Sequence, residues 1–229
     1  MKNKLIENKS TIYLIIFSLS LITRSVISYF YSDKALVNEW SILVENLYYF
    51  NSLSLIRFDD LFIPNLWMPP LYAYFIYLHT IIFGIEEDLV KSVIISQIII
   101  SSLTSVIFFK VLNIFFDYKF AIIGAIIFCF FPIIVYSSSQ ISSITIYLFL
   151  SILYIFKVLE IISKKKVSLI FLGILSGLLI LTSRDFIVIF LFSLLFICYF
   201  KFLKLKNLLI ILIITLMTIS PYMLRNYLV

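Results

Sequence analysis

The chain has 229 residues, of which 63% are hydrophobic and 13% charged, with a formal net charge of +6. A water-soluble domain carries about a quarter charged residues, so this balance excludes one and makes lipid the solvent for most of the apolar surface. The positive charge does not mark a nucleic-acid binder, because the lysines stand in short clusters between apolar runs, as in cytoplasmic loops.

Lys2, Lys4 and Lys9 precede a first apolar run at 11–30. The run is too long for a signal-peptide core and lacks a small-residue cleavage site after it, which predicts a retained helix with a cytoplasmic N-terminus. Arg24 falls inside this run, near its outer end. A charge there is costly, so it requires a polar cavity or a partner, or it snorkels to the interface.

Residues 36–50 have helical spacing, with Leu36, Trp40, Leu43 and Leu47 on one face and Val37, Val44 and Tyr48 beside them. Asn38, Ser41 and Glu45 form the opposite row, flanked by Glu39 and Asn46, and Ser32 or Asp33 is placed to cap the start. Such a helix lies in the membrane interface. It either turns its carboxylates to an aqueous cavity or merely braces the bundle. The following stretch, Ile63-Pro64-Asn65-Leu66-Trp67-Met68-Pro69-Pro70-Leu71-Tyr72, reads as a rigid aromatic loop. Pro69 and Pro70 force an extended approach, and Pro70 suits the first turn of a helix over 71–84. Trp67, Pro69, Pro70 and Tyr72 are candidates for the wall of a lipid-linked substrate, or, with Tyr74 and Tyr77, interfacial anchors. Asp59 and Asp60 fit a solvated loop. His79 is the single histidine and calls for a structural hydrogen bond, since one imidazole makes a poor metal site.

Further apolar runs cover 89–109, 120–136, 141–161, 167–182, 186–200 and 208–224. Lys110 with Lys119, Lys164-Lys165-Lys166, and Lys201 with Lys204 and Lys206 mark cytoplasmic turns. These sides agree with the N-terminus only if 71–84 does not cross, as an in-plane or re-entrant helix on the outer face. The expected architecture is therefore all-α: a polytopic bundle of about seven spans, forming one transmembrane domain over 1–229. Its long outer loop, 31–88, carries interfacial helices. Asp33, Glu39, Glu45, Asp59, Asp60, Glu86, Glu87, Asp88 and Asp185 all fall on the outer side, which places any chemistry at that boundary. Arg184 and Arg225 emerge there too, suited to fork onto phosphate oxygens or to pair with Asp185 or lipid head groups. Gly173 and Gly177 have the spacing of close helix packing. Cys129 and Cys198 lie in apolar runs, which argues against a disulfide. No phosphate-binding glycine loop, serine-nucleophile motif or zinc signature occurs.

Four motifs occur in a fixed order. Asn38-Glu39-Trp40 leads through Trp67-Met68-Pro69-Pro70-Leu71-Tyr72 to Phe83-Gly84. Then come Phe131-Pro132 with a serine-rich turn, Leu172-Gly173 with Gly177 and Thr182-Ser183-Arg184, and Ser220-Pro221-Tyr222-Met223-Leu224-Arg225-Asn226-Tyr227. Together they resemble the C-type membrane glycosyltransferases, of the protein O-mannosyltransferase and lipid A aminoarabinose transferase type. The resemblance implies transfer of a sugar from a polyprenyl phosphate to a lipid, glycan or protein acceptor at the outer face of a membrane, here a bacterial inner membrane. Membrane lipids are the remaining partners, and no nucleic acid is expected. In that family the helix opens with a catalytic aspartate; this chain has Asn38 there, followed by Glu39. An amide is no base, so Glu39 becomes the expected catalytic carboxylate, with Arg24, Arg184 and Arg225 as substrate contacts. The acid that often follows the family's second outer loop is replaced by Gln140, Ser142 and Ser143. That replacement speaks against a divalent-metal site built from both outer loops; a divalent metal is the one cofactor the resemblance leaves open, with no ligand set assigned. Family members continue into further helices, so a shortened or partial chain is expected. The competing classes are a transporter or flippase and a catalytically inactive membrane subunit.

Overall fold

The computed structural model describes residues 2–36, 38–58, 61–85 and 87–228. In chain order the elements are α1 (Lys2–Tyr31), α2 (Asn38–Phe50), β1 (Ser54–Phe58), β2 (Leu61–Pro64), α3 (Pro70–Phe83), α4 (Glu87–Phe115), α5 (Tyr118–Phe130) and α6 (Pro132–Ser137). They continue with α7 (Ile144–Ile162), α8 (Leu169–Thr182), α9 (Phe186–Tyr199) and α10 (Leu205–Leu228). Asp59, Asp60 and Glu86, and the side chains of Asn38 and Glu87, lie outside what is described.

Helices dominate, as the apolar runs require, but the all-α expectation needs an amendment. Ser54–Phe58 and Leu61–Pro64 pair antiparallel, Ile56 with Ile63 and Arg57 with Phe62. Short stretches of isoleucine, leucine and phenylalanine satisfy a pleated ribbon better than a loop. A second difference concerns the run at 120–136. It is broken in two, because Pro132 has no N–H and holds Phe131 extended at φ −66° and ψ 114°. Helix α2 starts at Asn38 rather than Leu36. Neither expected cap serves it. The Ser32 amide continues α1 by bonding the Ser28 carbonyl, and the Asp33 carboxylate accepts from the Ile141 amide at 2.7 Å.

Among the described residues four helices are long and apolar enough to cross a membrane: Ser10–Tyr31, Asp88–Phe115, Ile144–Ile162 and Leu205–Leu228. Helices α3, α5, α8 and α9 are apolar but only 13 or 14 residues long, about 21 Å of rise against a hydrocarbon core of about 30 Å. The lysine clusters sit in the turns after α7 and α9, where Lys164 and Lys201 take left-handed φ of 58° and 53°.

The chain divides into two compact units, Met1–Lys34 with Val90–Phe156, and Ala35–Leu89 with Lys157–Val229. In the first, Ala121, Ala125 and Cys129 of α5 pack with Ile16 of α1 and Phe109 of α4, all essentially fully buried. In the second, Leu43 and Leu47 of α2 join Leu53 and Ala73, covered by Trp40, Met68, Tyr77 and Tyr222. There α8 lies against α10 along its glycines. A Cβ on Gly173 would stand 2.7 Å from Ile214 Cβ, and one on Gly177 2.5 Å from Thr218 Cβ. Alanine normally improves a helix by about 1 kcal/mol over glycine. Here the methyl has no room, so Gly177→Ala is expected to lower the melting temperature in detergent. A rise would mean that the helices separate freely.

Helix α10 continues through Pro221. The Met217 carbonyl, which Pro221 cannot bond, is taken by the Ser220 hydroxyl at 2.9 Å.

Candidate functional site

Glu39 stands in the first turn of α2, where the helix dipole favours a carboxylate, and its side chain is exposed. The face beneath it is fixed by burial: Leu43 and Val44 are fully covered, while Ser41 Oγ donates to Glu45 Oε1 at 2.7 Å on the open side. The amphipathic reading of this helix therefore holds, with one addition. Asn46 is buried and its amide donates to the Ser54 carbonyl at 2.9 Å, tying α2 to β1.

The aromatic loop is less of a wall than its composition suggests. Tyr72 and Pro70 are buried, because they occupy the face of α3 that packs inward. Tyr72 meets Trp40 edge-on at 4.7 Å between ring centroids. Pro69 caps the helix with its chain extended, and Trp67 is 77% exposed. The loop is nonetheless rigidly built. Asn65 Oδ1 accepts from the Trp67 and Met68 amides at 3.1 and 3.0 Å, and its Nδ2 donates to the Met68 carbonyl.

Both outer arginines converge on this loop. Arg184, just after α8, donates through Nη2 to the Trp67 carbonyl at 2.5 Å. Arg225, in the last turn of α10, donates through Nη1 to the Asn65 carbonyl at 2.9 Å and through Nη2 to the Leu53 carbonyl at 2.6 Å. Tyr222 Oη donates to the Met68 carbonyl at 3.4 Å. The structure thus brings Trp67, Arg184 and Arg225 together within the unit that carries Glu39. It does so through main-chain carbonyls, a role the sequence reading missed. The signal was Asn65, placed to make a side-chain turn ahead of two prolines.

Arg24 belongs to the other unit. It does not snorkel, since its exposure is 0%. Nε donates to Ser101 Oγ at 2.6 Å, and Nη1 donates to the Ser20 carbonyl at 3.2 Å, to the Ser20 hydroxyl and to the Cys129 carbonyl at 3.4 Å. Ser20 Oγ in turn lies 2.8 Å from Ser105 Oγ. Nη2 is buried with no partner, and no carboxylate is among the contacts of this guanidinium. Removing a lone buried cation recovers its desolvation cost, on the order of several kcal/mol, against hydrogen bonds worth about 1.5–3 kcal/mol each to a charged group. Arg24→Met is therefore expected to keep or raise thermal stability. A steep fall would show that the hydroxyl cradle outweighs the cost of burying the charge.

The serine-rich turn of the same unit is spent on structure. The hydroxyls of Ser137, Ser138 and Ser139 donate to the carbonyls three residues earlier. The Gln140 amide donates to the Tyr31 carbonyl at 2.7 Å, and the Gln97 amide donates to the Gln140 carbonyl at 2.7 Å. Among the described residues no group of His, Cys, Asp or Glu gathers as metal ligands. No step below passes through a metal. His79 Nδ1 lies 2.9 Å from the Phe75 carbonyl, a structural bond.

Long apolar helices joined by short turns, with a polar segment folded at their ends, define an integral membrane protein of the helical type. The family model described as dolichyl-phosphate-mannose-protein mannosyltransferase matches residues 68–224, and the chain belongs to that superfamily of membrane glycosyltransferases. The match takes in Pro69, Pro70, Tyr72 and Arg184; Arg24, Glu39 and Trp67 precede it, and Arg225 follows it directly. No curated protein and no solved structure matches the chain.

Proposed function

We propose that the chain forms the membrane part of an enzyme that moves a sugar from a polyprenyl-phosphate donor to a hydroxyl-bearing acceptor at the outer face of a bacterial inner membrane. The family match over residues 68–224 carries this reading. The exposed carboxylate of Glu39, in the same compact unit as the loop braced by Arg184 and Arg225, supports it. Glu39 takes the acceptor proton as the acceptor oxygen bonds the sugar's anomeric carbon. The bond from that carbon to the phosphate oxygen breaks, and the polyprenyl phosphate leaves with the electron pair. Cationic groups stabilise the departing phosphate. Arg184 is exposed and uses one donor on Trp67, which leaves others for phosphate. Radiolabelled polyprenyl-phosphate sugars offered to membranes bearing the protein test the assignment. Label in an acceptor supports it, and no transfer from any donor overturns it.

Asn38, at the position of the family's base, favours a second reading, a catalytically inactive subunit. Asn38→Asp separates the two: activity appearing only in this variant identifies a degenerate site.

On the same reading about seven segments cross, with α5 and α6 acting as one and α3 in the membrane plane. A reporter active only outside the cytoplasm is expected to work when fused at position 60 and to be silent at positions 165 and 204. Activity at 165 would reverse the topology.

A further inference from the structure

The hairpin between α2 and α3 has one bare face. Ile56 and Ile63 are direct cross-strand partners, so their side chains share a face, and they are 47% and 41% exposed. The opposite face is occupied, since Phe62 meets Phe50 at 5.1 Å between ring centroids. The bare face continues in sequence into Leu66 and Trp67, 52% and 77% exposed.

The height of this ribbon along the helices is set by hydrogen bonds. Leu53 and Asn65, which flank its open end, are held through their carbonyls by Arg225 of α10. Trp67 is held by Arg184, just beyond the end of α8. Helix α8 is apolar and ends at Thr182, directly before Ser183, Arg184 and Asp185. The ribbon therefore stands where the apolar surface of α8 ends, at the level at which hydrocarbon gives way to head groups. Tryptophan with isoleucine and leucine, an amphipathic ring beside purely apolar chains, is the composition that this boundary selects.

We propose that the β1–β2 ribbon and the Leu66-Trp67 segment at its open end form a membrane-interface wedge. Ile56, Ile63 and Leu66 dip into the upper acyl region, and the Trp67 indole sits at the head-group boundary. The occupant of this face is phospholipid, not sugar and not a second copy of the chain. The assignment is independent of the glycosyl chemistry. It takes Trp67 out of the substrate wall and gives it to the bilayer. The two arginines then link an interfacial anchor to α8 and α10.

The chain has two tryptophans, so Trp40→Phe leaves Trp67 as the sole indole of the full-length protein. In phosphatidylcholine–phosphatidylglycerol vesicles its emission is expected to be shifted to the blue of an aqueous indole. Lipid brominated at a shallow acyl position should quench it more strongly than lipid brominated near the chain end or aqueous iodide. Stronger quenching by iodide places the indole in water and overturns the wedge; insensitivity to all three places it against protein and does the same. A nitroxide on Ile63→Cys, in a Cys198→Ser background with Cys129 buried, gives a second reading that leaves Trp40 intact. Collision with oxygen should exceed collision with a water-soluble nickel chelate, and the reverse order overturns the proposal. Spin–spin broadening that persists on dilution into excess lipid identifies a second copy as the occupant instead.

Discussion

Glu39→Gln is expected to reduce glycosyl transfer by about 10²–10⁴-fold, the usual worth of a positioned general base, at equal expression and with donor binding retained. The substitution keeps the size and hydrogen-bonding reach of the side chain and removes only its ability to take a proton. Because Glu39 is exposed in the first turn of α2, the exchange disturbs no packing, so a lost rate cannot be assigned to unfolding. Transfer unchanged in the variant would remove Glu39 from the mechanism. Asn38 or Glu45, which already accepts a hydrogen bond from Ser41, would then need testing. Full-rate transfer in an Asn38→Ala variant is the companion result expected if the amide has no chemical part.

The second large effect is structural. Arg225→Ala is expected to destabilise the protein by roughly 1–3 kcal/mol, the cost of a buried carbonyl left without a donor, because the Asn65 carbonyl loses the guanidinium while the Leu53 carbonyl keeps the Asn65 amide at 2.9 Å. Leu53 and Asn65 are only 4% and 2% exposed, so water cannot readily replace the guanidinium. Arg225→Lys should recover only part of the loss, because a single ammonium does not present two fixed donors to two carbonyls. Arg184→Ala should cost less, since that side chain is exposed and makes one such bond. Hydrogen exchange reads the consequence locally: the Trp67 and Met68 amides, bonded to Asn65 Oδ1, should exchange faster in Arg225→Ala. Unaltered exchange with an unaltered melting temperature would mean that the loop holds itself.

Hydropathy and periodicity revealed the helices, because the physics that forms them is local. The buried stripe of Leu43, Val44 and Leu47 follows from spacing alone. The close approach of α8 and α10 at Gly173 and Gly177 was signalled by two small residues four apart. What stayed hidden depends on partners distant in sequence. Nothing around residue 24 announces Ser101 or the Cys129 carbonyl, 77 and 105 residues away, so burial of the arginine could not be told from snorkelling. The arginines at 184 and 225 looked like phosphate ligands because their outward placement was readable and their carbonyl partners were not. The hairpin escaped because its strands are too short to show a period, and the break at Phe131 because an apolar run does not register a proline at its centre.

The proline in α10 links helix geometry to the fit of the loop. With the Met217 carbonyl satisfied by Ser220, the helix passes Pro221 without losing its count of residues per turn. The azimuth of Arg225 is therefore fixed by its sequence distance from the membrane-embedded part. Inserting one alanine between Tyr222 and Arg225 would delete no group and leave Tyr222 on the core. It would nonetheless swing the guanidinium by about 100° around the axis, away from both carbonyls at once. The register of a single helical turn, rather than the chemistry of its side chains alone, thus decides whether the loop is fastened.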